Sequence, residues 1–258
     1  AENDWASYKT LYKLYEKGHT PWEWIRAIFG RAKELHLPTF ASPFDTTAID
    51  LLEELGCPAY KIASPEVVDV GLIDYAARTG KPVILSTGLS QQEDLDLAVG
   101  VLRSAGARFM ILKCVSAYPT PLDAVNLSTI PWLASTYGCT AGFSDHTLGA
   151  SAALAATALG ARMIEKHFKL PGDVESVDAA FSMSLDELAG FKQQIANVSA
   201  AVGSPTLAIP EISRASLSGK RSLYVVKPVQ KGERFTTDNV RSIRPAYGLA
   251  PRHLPEIL

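Results

Sequence analysis

The chain has 258 residues, 47% hydrophobic and 20% charged, with a formal net charge of −2. This is the balance of an ordinary globular chain of one or two domains, and it gives no general pull toward nucleic acid or an anionic membrane. Cys57, Cys114 and Cys139 are few and lack paired spacing, segment 1–7 lacks the layout of a secretion signal, and no apolar run is long enough to span a bilayer, so a cytoplasmic protein with reduced thiols is expected.

In chain order, apolar strands are predicted at 39–43, 59–64, 82–87, 109–115, 140–144 and 162–168, with Cys114 in the core. Helices are predicted to begin near Thr46, Val70, Gln91, Asn126 and Leu148, and a last one runs from Ser184 to about Val202. Leu51, Leu52 and Leu55, and then Leu95, Val99 and Leu102, supply apolar stripes for packing on the strands. Ser184 followed three residues on by Glu187 is a capping-box signature. Strands alternating with helices of this length imply a parallel sheet with right-handed crossovers. Six strands in an open sheet leave two edges, so the sheet is either doubly wound or part of a barrel. After Gly203 the rhythm changes. Residues 204–218, rich in Pro, Ser and Ala, read as a linker, and 219–258 as a second small domain with a strand from Ser222, a turn at Gly232 and a short helix start at Thr237.

His146 and His167 each close one of two strands joined by a single helical crossover, which places both imidazoles at the same end of neighbouring parallel strands. Ligands bind at that carboxyl end in α/β folds. Two neutral imidazoles there suit a divalent metal with open positions for water and substrate. A lone histidine would more simply be a satisfied core residue; the matched placement favours the metal site. Lys61 stands at a strand end as a cation for an anionic ligand, and Ser64, Ser86, Ser116 and Ser144 place hydroxyls at four strand ends, with Ser42 a weaker fifth. Each serine alone would be a turn residue or a cap. Asp145 either orients the ring of His146 or points to the other strand face, and at least one of Lys113 and Lys166 is expected to face the barrel interior. His19, His36 and His253 are expected at the surface, and Trp22 and Trp24 lie on different faces of one helix.

The segments Lys61-Ile62-Ala63-Ser64, Ser86-Thr87-Gly88, Ser116-Ala117-Tyr118-Pro119, Ser144-Asp145-His146-Thr147 and Glu165-Lys166-His167-Phe168 resemble, in order and spacing, the sialic acid synthase family. Lys231-Gly232-Glu233 with Arg244-Pro245 resembles that family's antifreeze-protein-like (SAF) module, and the segments 20–24 and 241–249 resemble its pseudaminic acid branch. The resemblance implies a (β/α)8 TIM barrel of which strands three to eight are in this chain, residues 1–203, followed by a SAF domain at 219–258. The family's first two strands, with a glutamate and a lysine of the active site, have no counterpart here, so both domains are expected to be truncated.

The resemblance further implies condensation of phosphoenolpyruvate with an open-chain amino sugar, 2,4-diacetamido-2,4,6-trideoxy-L-altrose in the pseudaminic branch, with loss of phosphate through C–O cleavage. It implies Mn²⁺ or Mg²⁺ on His146 and His167 to polarise the sugar aldehyde. Phosphoenolpyruvate falls to Lys61, Ser64, Ser86, Ser116, Ser144 and Ser42; the sugar falls to Tyr118, Asp178 and Arg244. A homodimer is implied in which the swapped small domain brings Arg244 to the partner's barrel mouth. The alternatives are a synthase of N-acetylneuraminate or legionaminate, or a non-catalytic barrel relative.

Overall fold

The computed structural model describes residues 9–258, and the chain divides into two compact units at Gly203 and Ser204. In the first unit, α1 (Leu11–Gly18) and α2 (Trp22–Glu34) precede α3 (Thr46–Glu54). Five strands then alternate with helices: β1 (Tyr60–Ile62), α4 (Val70–Arg78), β2 (Val83–Ser86), α5 (Gln92–Ser104), β3 (Phe109–Cys114), α6 (Thr129–Tyr137), β4 (Thr140–Asp145), α7 (Ser151–Ala158) and β5 (Ile164–Lys166).

All five strands are parallel and adjacent in strict sequence order, β1-β2-β3-β4-β5. A doubly wound sheet reverses its order at a switch point; this one never does, so the doubly wound alternative falls and the sheet is a half-barrel. The two faces confirm it. Tyr60, Ile62, Val83, Leu85, Ile111, Ala141 and Phe143 pack into one core with Leu72, Ile73, Leu95, Leu102, Ile130 and Leu133 of the helices. The alternate residues, Lys61, Ile84, Ser86, Leu112, Cys114, Gly142, Ser144 and, through register, Glu165, form the inner face. Toward the amino end that face is closed by side chains. A Cβ on Gly142 would lie 2.6 Å from Leu112 Cδ2 and 2.6 Å from the Met163 carbonyl, so only glycine fits.

Several boundaries differ from expectation. The segment 39–43 is reduced to a single parallel bridge, Ala41 to Tyr60, with Lys61 N–H on the Ala41 carbonyl at 3.1 Å. Pro43 has no N–H to extend that ladder. The run 162–168 breaks at His167: β5 ends at Lys166, and β6 (Phe168–Lys169) pairs instead with β7 (Met183–Ser184). The helix expected near Asn126 starts at Thr129, because Asn126 adopts φ 51°. The one expected at Leu148 starts at Ser151, because Gly149 sits at φ 72°. The helix α8 (Leu185–Val202) begins as its signature demands, Ser184 N–H donating to Glu187 Oε2 at 3.0 Å.

In the second unit, residues 204–210 have no regular structure and a 3₁₀ run covers Glu211–Gly219. The strands β8 (Ser222–Val225) and β9 (Val240–Ile243) form an antiparallel pair. The Ser222 hydroxyl donates to the Gly248 carbonyl at 3.1 Å and accepts from Gly248 N–H at 3.0 Å. Thr237 starts no helix. Asn239 Oδ1 accepts from Thr236 N–H at 2.7 Å, a side-chain turn that feeds β9 directly.

Candidate active site

His146 follows the last residue of β4, and His167 lies between β5 and β6. Their ring centres are 5.2 Å apart at an interplanar angle of 66°. His146 is buried, and its Nδ1–H donates to the Val115 carbonyl at 2.9 Å, with Cys114 Sγ at 3.9 Å from the same nitrogen. His167 is half-exposed, and its Nδ1–H donates to Asp178 Oδ2 at 3.2 Å. With Nδ1 occupied in both rings, the neutral tautomer leaves the Nε2 lone pairs for a ligand, the arrangement found behind metal-bound histidines. A metal nitrogen bond spans about 2.1 Å, so two rings this close can share one ion. Among the described residues no group of three or more His, Cys, Asp and Glu converges on one point. The two histidines are the side chains here that could hold an ion, through Nε2.

Tyr118 packs against both rings, its centroid 4.3 Å from His146 and 6.5 Å from His167, and Phe181 completes an aromatic wall at 5.0 Å from Tyr118 and 5.1 Å from His167. Burial pushes the Tyr118 phenol up to about 12, which keeps it a neutral hydrogen-bonding group at physiological pH.

Beside the histidines, on the inner face, Lys61 Nζ sits 3.3 Å from Glu165 Oε2, and Ser144 Oγ donates to Glu165 Oε1 at 2.6 Å. Lys61 is only 6% exposed. A buried ammonium with one carboxylate at that distance keeps donor capacity for another anion. Gly88 N–H donates to Ser64 Oγ at 2.8 Å. A Cβ at Gly88 would collide with the Ser116 and Ser64 hydroxyls, so glycine is what lets these hydroxyls converge. The Ser86 hydroxyl is buried with no hydrogen-bond partner among the described residues. A buried orphan hydroxyl costs free energy unless a ligand meets it. Ser42 lines, with Glu165, His167, Lys169, Asp178 and Ser182, a cavity of about 680 Å³.

The expected residues Lys61, Ser64, Ser86, Ser116, Ser144, Tyr118, His146 and His167 thus gather at one end of the sheet. Asp178 joins them through His167 rather than as an isolated loop acid. Arg244 lies in the second unit, just past β9. Asp145 does not bond to the His146 ring; its two carboxylate oxygens go to Lys166 and to Thr147 N–H. Its register partner is Lys166, whose Nζ donates to Asp145 Oδ2 at 2.8 Å. Lys113 and Lys166 both share the strand face of Phe143, so neither occupies the inner face as expected; Lys113 Nζ turns back to the Cys114 carbonyl at 3.1 Å. Cys114 is buried as expected, yet on the inner face beside His146. Glu165 and Phe181 are additions. Glu165 was findable, since it stands two residues before His167 and strand alternation puts both on one face; nothing in the spacing singles out Phe181.

Fold and site together define an α/β enzyme with a singly wound parallel sheet, whose strand carboxyl ends join a histidine pair to a lysine–glutamate–serine cluster. The sequence matches the NeuB family over residues 1–206. It is 42% identical over 255 residues, 97% of this chain and 74% of the relative, to the pseudaminic acid synthase of Helicobacter pylori. It is 34% identical, over 88% of this chain and 69% of the relative, to an N,N'-diacetyllegionaminic acid synthase of Campylobacter jejuni. A putative spore coat polysaccharide biosynthesis protein E of Chromobacterium violaceum superposes with a TM-score of 0.80 at 30% identity, over 95% of this chain and 75% of that one. The chain belongs to the NeuB family, the sialic acid synthases. Among the described residues no helix is long and apolar enough to cross a membrane.

Proposed function

We propose that this enzyme condenses phosphoenolpyruvate with an open-chain amino sugar, and that the sugar is 2,4-diacetamido-2,4,6-trideoxy-L-altrose, giving pseudaminic acid and phosphate. The observation that carries this reading is the placement of a buried, under-paired Lys61 and an orphan Ser86 hydroxyl on the same strand ends as the histidine pair. A doubly anionic three-carbon substrate needs such cations and donors, and its partner must lie within reach of the histidines. The pseudaminic branch is supported by the 42% identity to the synthase of that name and by the segments 20–24 and 241–249.

In this reading Lys61, Ser64, Ser86, Ser116 and Ser144 hold phosphoenolpyruvate, with Ser42 at the rim. Lys61 and Ser144 are themselves held by Glu165. Tyr118 and Phe181 wall the sugar, and Asp178 contributes to it beyond its bond to His167. His146 and His167 would hold Mn²⁺ or Mg²⁺, which would supply Lewis acidity toward the sugar aldehyde. Carbon 3 of phosphoenolpyruvate bonds to the aldehyde carbon, water adds at carbon 2, and phosphate leaves with the former bridging oxygen. The half-barrel is assigned to strands three to eight of a (β/α)8 barrel, the bridge at Ala41 marking the third. The second unit is assigned as a SAF module that brings Arg244 to the sugar of a partner protomer in a homodimer.

Phosphoenolpyruvate labelled with ¹⁸O at the bridging position tests the chemistry: the label should appear in inorganic phosphate, and label retained in the sugar product overturns C–O cleavage. Competition among the altrose derivative, N-acetylmannosamine and the legionaminate precursor tests the sugar. Preference for either of the latter two moves the chain to another branch of the family.

A further inference from the structure

On the strand face opposite the two histidines lies a buried ion pair, tied to the Thr147 backbone, that the reaction proposed above does not use. Asp145 and Lys166 are direct register partners on β4 and β5, and each immediately precedes one of the histidines. Their side chains are 0% and 6% exposed. Lys166 Nζ donates to Asp145 Oδ2 at 2.8 Å and to the Thr147 carbonyl at 2.7 Å, while Asp145 Oδ1 accepts from Thr147 N–H at 2.8 Å. Both carboxylate oxygens are satisfied, and both polar groups of the Thr147 backbone are tied to the pair. Thr147 directly follows His146, so the backbone on each side of His146 is bound to the strand end that presents His167.

We propose that Asp145 and Lys166 are a positioning pair that sets the separation and tilt of the two imidazoles; the proposal rests on the histidine-pair reading above. Strand alternation sends neighbouring side chains to opposite faces, so the ion pair locks the hinge behind the rings without touching what they bind. A pair this deeply buried contributes little net stability against an apolar pair of equal volume, because desolvation offsets the Coulomb gain. Its product is a fixed register. The β4–β5 ladder ends at this pair; beyond it the His146 and His167 carbonyls accept from Thr120 N–H and Met183 N–H, each at 2.9 Å, bonds that do not join the two histidine segments to each other.

The test replaces the pair with apolar groups, Asp145→Leu with Lys166→Met, and reads two signals. In metal-free protein, the His146 Nδ1–H held by Val115 should give a slowly exchanging downfield proton resonance. The variant should lose it or shift it strongly while circular dichroism shows an intact fold. In parallel, the affinity for Mn²⁺, read by electron paramagnetic resonance, should fall by about 10–100-fold, the usual size for groups behind a metal ligand. An unchanged ring resonance in the folded variant overturns the proposal. If wild type and a His146→Ala/His167→Ala variant take up Mn²⁺ equally, the metal reading falls instead, and the ring resonance still decides the pair. Should the apolar pair fail to fold, Asp145→Asn replaces it: a shifted resonance supports the proposal and an unshifted one overturns it.

Discussion

Two lysine–carboxylate pairs lie on opposite faces of the same sheet, one joining the neighbouring strands β4 and β5 and the other running from β1 to β5. Lys166 and Asp145 lie 2.8 Å apart, both almost fully buried, with every carboxylate oxygen matched by a donor. Lys61 and Glu165 lie 3.3 Å apart, Glu165 is one-third exposed to the cavity, and Glu165 divides itself between Lys61 and Ser144. The first pair is closed and can only position what is attached to it. The second is open, with ammonium donors left over beside an orphan hydroxyl, which makes it a receptor for an anion. Ion-pair distance and residual hydrogen-bonding capacity, more than burial, separate a scaffold pair from a binding pair.

Four variants sharpen or break that comparison. The largest effect is expected from His167→Ala: loss of a ligand should cost more than the roughly 10–100-fold typical of the groups behind one, and steady-state turnover that persists in chelator-treated variant would sink the metal assignment. Lys61→Met should next raise the phosphoenolpyruvate requirement by about 2–5 kcal/mol in binding, because it removes an anion's partner and strands Glu165. An unchanged KM would move Lys61 to the closed class. Asp178→Ala removes the group behind His167 along with its contact to the sugar, and should lower Mn²⁺ affinity by about 10-fold and turnover by at least as much; titration of the metal against kcat reads it.

The smallest effect is expected at Glu66, whose Oε2 is buried without a hydrogen-bond partner among the described residues; burial pushes its carboxyl above the usual range, against a smaller opposing pull from its own N–H and from the Lys61 charge. A folded-state pKa above the unfolded value gives stability that is complete below the unfolded value and lost as pH rises through the folded one. Glu66→Gln should therefore stabilise the protein at pH 7, by about 1 kcal/mol or less, with the gain vanishing in acid. Equal melting temperatures at pH 7 would show that Glu66 has a partner after all.

A contrasting cluster stands at the amino end of β1, away from the histidines. Tyr60, buried, bonds its hydroxyl to Glu53, and Lys81 Nζ lies 2.5 Å from Glu53 Oε1. All three groups are mutually satisfied and no orphan remains among them. This is the pattern expected of the stabilising end of a parallel α/β sheet, opposite its reactive end.

Much of this was legible in the residues alone. Apolar runs, capping signals at Ser184 and strand-end polar residues placed the alternating elements, and the spacing of His146 and His167 put both at one edge. Those signals are local, set by backbone geometry and by side-chain periodicity over a few residues. The shortened helix starts at Thr129 and Ser151 were less legible, because they depend on the backbone conformation that Asn126 and Gly149 adopt. Local alternation leaves Asp145 open between two faces, and only the register of β4 against β5 decides it. So the chain by itself determined which residues are polar at strand ends and which strand each belongs to. The tertiary structure alone decided that the strands wind in one direction, that Glu165 rather than Asp145 lines the cavity, and that one lysine pair is closed while the other is open. Those outcomes depend on distances between residues about twenty or a hundred positions apart, which no local pattern encodes.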